Sequence, residues 1–124
     1  MNILVARPCS AVGCNCGGGA LWLFEWLPQV PQTMNESISS NPALKVVASS
    51  SGDFTREGGK AVMADFLAST PDIDVLYAHN DDMGLGAIEA IEVAGKVPGE
   101  DIEVITVDAV RDGMQALIDG KINY

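Results

Sequence analysis

Basic residues are scarce in this chain. Seven lysines and arginines stand against seventeen aspartates and glutamates, which gives 124 residues a formal net charge of −10. Proteins that bind nucleic acids need basic patches that neutralise the phosphate backbone. The composition therefore argues against a nucleic-acid partner. The hydrophobic content of 48% is sufficient for a core, so we expect one folded domain rather than a disordered chain.

Histidine and cysteine are scarce as well. His79 is the single histidine, and Cys9, Cys14 and Cys16 are clustered near the amino terminus without a paired CxxC spacing. A zinc or iron site needs a fuller ligand set in a recognisable spacing, and a catalytic site needs a nucleophile beside a positioned base. The sequence presents neither pattern. We therefore expect no metal, no cofactor and no enzymatic activity.

Long apolar runs are also missing. Residues 21–27 are apolar apart from Glu25, but they fall far short of the roughly twenty residues that span a bilayer. The first forty residues carry only three charged side chains, and they hold every cysteine and both tryptophans. Such a break in composition can mark a domain boundary. The amino-terminal sequence contains no convincing export signal.

Three units of one kind follow one another from residue 44 onwards: an apolar strand, then polar residues, then an amphipathic helix. In one of them, residues 75–78 form an apolar run typical of a covered strand, and the spacing of Met83, Ala87 and Ile91 predicts one apolar helix stripe. Alternating strands and helices indicate right-handed βαβ crossovers. The sequence thus predicts a three-layer α/β/α sandwich with a parallel sheet of four to five strands.

Polar or aromatic side chains follow each predicted strand. Asp53 and Phe54 come after the first, Asn80 after the second and Asp108 after the third. Because open α/β sheets bind ligands at the carboxyl ends of their strands, we expect these side chains at a common rim. Carboxylates accept hydroxyl hydrogens, an amide both gives and accepts them, and an aromatic ring covers C–H faces. The rim is therefore a candidate ligand-binding site.

Structural roles are open for most of these residues. Phe54 could be an ordinary core aromatic, and Asp108 could cap the helix that follows it. Asp81 and Asp82 are expected to cap the helix that begins after Asn80. Asn80 itself is harder to explain in this way, because the end of a buried strand is an unusual place for a polar side chain without a task.

Residues 35–124 resemble the C-terminal lobe of periplasmic sugar-binding proteins that feed ABC importers, a group that includes ribose- and galactofuranose-binding proteins. The resemblance runs in unbroken register through SGDFTREGGKAVMADFL, DIDVLYAHNDDMGLGAIEAIEVAGKVPG and IEVITVDAVRDGMQALIDGKINY. Because it resumes abruptly near Asn35, it implies that residues 1–34 are an atypical segment, rearranged or read out of frame, and that residues 35–124 are a truncated C-terminal sugar-binding lobe. The segments DFTR and HNDDM are most similar to the galactofuranose-binding branch. The resemblance implies a periplasmic origin and an ABC permease as partner. It also implies a monosaccharide ligand, a pentose or a hexose, for which the furanose ring form is one option.

The resemblance also implies roles for individual residues. Phe54 would stack against the sugar, Asn80 and Asp108 would bond to its hydroxyls, and Asp53 and Arg56 would add further contacts. Arg56 could instead be a solvated surface charge. In such families two lobes close around the ligand, so we expect weak or lost affinity in a chain that holds one lobe. An uncovered sheet edge, or the apolar stretch over residues 21–27, would favour association of copies of the chain.

Two other functions are compatible with a parallel sheet and a polar rim. The sensor lobe of a lac-repressor-like transcription regulator shares the fold, although no basic helix-turn-helix precedes this lobe. A receiver-like phosphorylation domain also carries acidic residues at strand ends, and Asp81, Asp82 and Asp108 could imitate its acidic pocket. That pocket holds Mg²⁺, so a magnesium titration distinguishes it from a sugar rim.

Overall fold

The computed structural model describes residues 2–8, 44–70 and 72–124. Within them the elements follow in the order β1 (Asn2–Pro8), β2 (Leu44–Ser51), α1 (Arg56–Ser69), β3 (Val75–Ala78), α2 (Asp81–Val93), β4 (Glu103–Ile105) and α3 (Arg111–Ile118). The predicted α/β class is therefore confirmed. The cysteine cluster and most of the predicted atypical segment lie outside the described residues.

The strands form one sheet in the order β2-β1-β3-β4. β3 and β4 are parallel, with Val75 opposite Glu103, whereas β1 is antiparallel to both β2 and β3. The three strands predicted from apolar runs after residue 44 thus point the same way, and for them the expectation of a parallel sheet holds. It needs correction for β1, which makes the sheet mixed. An apolar run reads the same in both directions, so the sequence pattern does not determine strand direction.

A short fifth segment continues the sheet beyond β4. The Thr106 amide donates to the Tyr124 carbonyl at 2.8 Å, and the Asn123 amide donates to the Val104 carbonyl at 2.8 Å. The Asn123 side chain adds a bond from the Val104 amide to its Oδ1 at 2.8 Å. Residues 122–124 therefore lie beside β4 in the manner of a strand, which agrees with the predicted four to five strands.

One face of the sheet carries the core. Ile3 lies opposite Ala78, Val5 opposite Leu76, and Leu76 opposite Val104, so these five side chains share a face, and all are fully buried. They join one cluster with helix residues, among them Met63, Phe66, Met83, Ala87, Ile88 and Ile91. Burying an aliphatic side chain stabilises a fold by about 1.5–3 kcal/mol. The helix-covered face is therefore the main source of stability among the described residues.

The two longer helices approach each other closely. Gly59 of α1 lies against the backbone of Met83 in α2, and Gly86 of α2 lies against the backbone of Arg56 in α1. A Cβ at either position would collide with backbone atoms that cannot move aside. Glycine is required there for steric reasons, and the contact fixes the first turns of α1 and α2 relative to each other.

The apolar side chains of α2 and α3 differ in how far they are buried. In α2 the predicted stripe of Met83, Ala87 and Ile91 is fully buried, which confirms it. In α3 the inward residues are Gly113 and Ala116, whereas three larger apolar residues are exposed: Met114 by 44%, Leu117 by 39% and Ile118 by 75%. None of the described helices has the length and apolar character needed to cross a bilayer.

Candidate ligand-binding rim

The ends of β2, β3 and β4 meet at one edge, here called the rim and comprising residues 52–56, 79–82 and 106–112. A Cβ added at Gly52 would lie 2.9 Å from the Met83 Sδ, so the first loop touches the start of α2. On the other side, Gly84 of α2 packs on the Thr106 side chain. The start of α2 therefore lies between the other two loops, and the predicted convergence of three strand ends is present.

Arg56 links the three parts of the rim. Its Nη2 atom lies 3.2 Å from Oδ1 of Asp82 and 3.3 Å from Oδ2 of Asp112. These contacts raise the pKa of the guanidinium, with the hydrogen bond to Asp112 as the larger cause and that to Asp82 next. Each partner is more than a third exposed, so solvent screens the pairs and their contribution to stability is small. Arg56 is therefore a paired residue of the rim rather than an isolated surface charge.

Asp53 and Phe54 occupy the left-handed region of backbone conformation, with φ of 51° and 60°. This conformation is uncommon outside glycine and concentrates at functional sites. Phe54 is 52% exposed, so it is not a core aromatic. The Asp53 carboxylate accepts a bond from the Ser51 hydroxyl at 3.2 Å and remains exposed. Thr55, whose Oγ1 accepts from the Gly58 amide at 3.0 Å, starts α1 and leaves Asp53 and Phe54 free of a capping role.

Asn80 is the N-cap of α2. Its Oδ1 accepts a hydrogen bond from the Met83 amide at 2.9 Å. The expectation that Asp81 or Asp82 caps this helix is therefore wrong. The helix already begins at Asp81, so the capping position falls on Asn80. The Nδ2 group of Asn80 makes no hydrogen bond to a described residue, so this half of the amide can serve a ligand.

The loop after β4 places Asp108 on the surface. Asp108 has a φ of 111°, Ala109 follows with a φ of 59°, and the N-cap of α3 is Val110. Asp108 therefore does not cap the next helix, which removes its principal structural explanation. The Val110 amide instead donates to Oδ2 of Asp81 at 2.6 Å. Asp81 is only 2% exposed, and its role was missed from the sequence because its partner is 29 positions away.

His79 lies immediately before Asn80 and is buried, with 7% of its surface exposed. Its ring meets that of Tyr77 edge-on, with centroids 5.1 Å apart and an interplanar angle of 78°. The Nε2 atom has no hydrogen-bond partner among the described residues. Burial lowers the pKa of the imidazole and therefore favours the neutral form of His79. A charged His79 would be poorly tolerated at this position.

The rim carries acidic side chains but no metal centre. Within residues 2–8, 44–70 and 72–124, no three His, Cys, Asp or Glu side chains come together as a metal site would require. The rim presents an exposed aromatic ring, exposed carboxylates and the Nδ2 group of Asn80. The first two loops that carry these groups lead into α1 and α2, which pack on each other. Such a set can bind a polar, uncharged ligand by hydrogen bonds and by contact with its apolar faces.

Open α/β sheets bind ligands at the carboxyl ends of their strands, so this arrangement is typical of a ligand-binding lobe. Comparison with known families agrees with this assignment, because residues 24–124 match the periplasmic binding protein domain. The chain belongs to this family, and the resemblance seen in the sequence is confirmed.

Three relatives show how far the similarity extends. The chain is 46% identical to the galactofuranose-binding protein of Escherichia coli over 91 residues, which is 71% of this chain and 29% of that protein. A crystal structure from Mycobacterium smegmatis in complex with β-D-fucofuranose is 69% identical, with a TM-score of 0.68, over 70% of this chain and 29% of that one. The arabinose transporter's binding protein from Shewanella sp. ANA-3, bound to L-arabinofuranose, is 41% identical, with a TM-score of 0.71, over 73% and 31%. The chain thus spans less than a third of each relative.

Proposed function

We propose that this chain is part of a solute-binding protein of an ABC sugar importer, and that its rim recognises a monosaccharide without chemically changing it. The E. coli relative is named for galactofuranose, and the two structures above contain fucofuranose and arabinofuranose. A furanose is therefore the preferred ligand class. The family and its named relatives also support a periplasmic location and a permease partner.

The observation that carries the proposal is the convergence of Phe54, Asn80 and Asp108 at one rim without a structural task that explains all three. Phe54 is half exposed on a left-handed backbone, and Asp108 is exposed without capping a helix. Asn80 caps α2 through Oδ1 only. An apolar ring face, a carboxylate and an amide donor together complement the C–H and O–H groups of a sugar.

Asp53 and Arg56 have secondary places in this proposal. The Asp53 carboxylate is exposed beside Phe54 and can accept a sugar hydroxyl hydrogen. Arg56 has two carboxylate partners, so it would have to share its remaining N–H groups with a ligand. We therefore assign Asp53 a direct contact and Arg56 chiefly the task of holding the loops together.

Affinity in the isolated chain should be weak. Sugar sites enclose most of the ligand surface, and this chain spans less than a third of the relatives in which such sites occur. A single open rim supplies only part of the contacts. We expect dissociation constants of about 1 mM or weaker.

Calorimetry and amide chemical shifts test the proposal. L-arabinose and D-galactose, each locked as a methyl furanoside and as the matching methyl pyranoside, should be titrated to high concentration. Shifts confined to Phe54, Asn80 and Asp108 that are larger for the furanosides would support it. The matched control is Leu117→Ala, which lies outside the rim and should leave the shifts unchanged. Absence of rim shifts with every sugar would overturn the sugar assignment, and micromolar binding by a monomer would overturn the partial-site model.

Self-association through an uncovered sheet edge or the apolar amino-terminal stretch remains a prediction, and we add the exposed apolar side chains of α3 as a further surface for it. Ile118 is 75% exposed on α3, and Met114 and Leu117 lie on the same helix at 44% and 39%. Apolar surface of this kind favours association. Light scattering across protein concentration should show a dimer that Ile118→Glu weakens. A clean monomer at every concentration would contradict the prediction.

A further inference from the structure

Asp81 is a buried carboxylate at the centre of the rim, with 2% of its surface exposed. Its position in the first turn of α2 is compatible with capping that helix, yet Asn80 makes the capping bond. Asp81 instead accepts the Val110 amide hydrogen at 2.6 Å. A buried carboxylate needs such partners, because an unpaired charge inside a protein is costly.

The start of α3 is built to receive this carboxylate. Val110, the N-cap, makes no side-chain capping bond of its own, and valine has no oxygen that could accept one. Gly113, in the first turn of α3, lies against the Asp81 carboxyl group, and a Cβ there would collide with it. Asp81 therefore acts as a capping group for α3 from a different helix, and the absent side chain at Gly113 provides the space.

Asp108 and Ala109 precede Val110 directly and both have left-handed backbones, with φ of 111° and 59°. A non-glycine residue persists there only when the surrounding structure holds it. The bond from Val110 to Asp81 is the side-chain contact that anchors the end of this strained pair. Without it the backbone can relax, and the Asp108 carboxylate would leave its position on the rim.

We infer that Asp81 is a positioning residue for sugar recognition: it fixes the Asp108 corner of the rim through Val110 and does not touch the ligand. This inference rests on the proposed function for its consequence in binding. Its structural part, the dependence of the Asp108–Val110 backbone on Asp81, stands apart from any ligand.

Amide hydrogen exchange and sugar titration of the whole chain test the two parts separately. Asp81→Ala should speed exchange at Val110 by about tenfold to a hundredfold, as expected for loss of a bond to a charged acceptor. Asp81→Asn retains an acceptor oxygen and should restore most of the protection. Gly113→Ala displaces the carboxylate from the opposite side and should reproduce the Val110 effect, which keeps the test decisive if Asp81→Ala does not fold.

The control for general destabilisation is Ile73→Val, a buried residue ahead of β3, at the end away from the rim. It should lower the urea midpoint without changing either Val110 exchange relative to other amides or the sugar-induced shift at Asp108. The Asp81→Ala and Gly113→Ala variants should lose the Asp108 shift while retaining that at Phe54. Unchanged Val110 exchange in both variants would overturn the inference.

The two proposals can fail independently. If the unaltered chain shows no rim shift with any sugar, the proposed function fails, and Val110 exchange still decides whether Asp81 holds the corner. If the unaltered chain binds sugar and Asp81→Ala binds equally well with rapid Val110 exchange, the positioning role is refuted while sugar recognition stands.

Discussion

The helix-covered face of the sheet and the rim at its edge are built in opposite ways. Leu76 and Val5 on the covered face are fully buried within strands. Phe54 and Asp108 on the rim are exposed, and their backbones are left-handed. Strain of that kind costs of the order of 1–3 kcal/mol at each residue. The packing of the covered face therefore offsets the cost of the strained backbone at the rim. That backbone holds the rim side chains in place.

We expect the largest loss of stability from a substitution on the covered face. Leu76→Ala removes a fully buried side chain paired with Val5 and Val104, and it should lower the free energy of unfolding by about 2–5 kcal/mol. Urea denaturation followed by circular dichroism measures the loss.

The matched control is Leu117→Ala on α3, where the same atoms are removed from a side chain that is 39% exposed. It should cost about 1 kcal/mol, less than Leu76→Ala, because this side chain is already partly in contact with water in the folded chain. Equal losses in the two variants would show that the core does not lie on the face occupied by Leu76.

His79 lies where the two regions meet, because it is buried like the core and directly precedes Asn80 on the rim. Burial lowers its folded-state pKa below the ordinary value of about 6.5. The unfolded chain therefore binds a proton more readily. The stability contributed by neutral His79 is present in full above pH of about 6.5, decreases as the pH falls below it, and stops decreasing below the folded pKa.

Urea unfolding between pH 5 and pH 8, compared with His79→Gln, isolates this contribution. The difference in unfolding free energy between the two proteins should change with pH only below about 6.5, in the direction of loss for the histidine protein. Identical pH profiles would mean that the imidazole is as well hydrated in the folded chain as in the unfolded one.

A substitution at Asp108 should change the free energy of unfolding by a smaller amount and in the opposite direction. Asp108→Gly relieves the left-handed backbone and should raise the free energy of unfolding by about 0.5–1 kcal/mol, after allowance for the greater freedom of glycine in the unfolded chain. Asp108→Ala retains the strain and should show no such gain. Both should abolish the Asp108 contribution to sugar binding. A loss of stability in the glycine variant would indicate that the carboxylate itself has a structural task.

The covered face could be predicted from the sequence, and the reasons are visible in single residues. The spacing of Met83, Ala87 and Ile91 identified a helix stripe, and all three are fully buried. The apolar run of residues 75–78 identified β3. Periodicity is a local property, so it can be recognised without knowing the fold. The direction of β1 is not local, and the apolar pattern contains no information about it.

The rim was only partly predictable. Its loops were placed correctly, because strand ends follow from strand positions, but Asp81 and Asp82 were wrongly expected to cap α2, and the capping bond of Asn80 was missed. Asn80 proved to be the cap of α2, and Asp81 proved to hold Val110, 29 positions away. Each of Asn80, Asp81 and Asp82 is chemically able to cap a helix. Tertiary packing decides among them, and the sequence of the segment alone does not contain that information.

The smallest expected effect concerns Arg56, which spans the rim between Asp82 and Asp112. Because all three side chains are well exposed, Arg56→Gln should lower the urea midpoint only slightly, and by less than any variant above. The difference should shrink further in 1 M salt, where screening acts over about 3 Å. Lys45→Gln is the control, since it removes one positive charge from an exposed position on β2. A large, salt-insensitive loss with Arg56→Gln alone would show that this contact, rather than the packing of α1 on α2, joins the rim to the core.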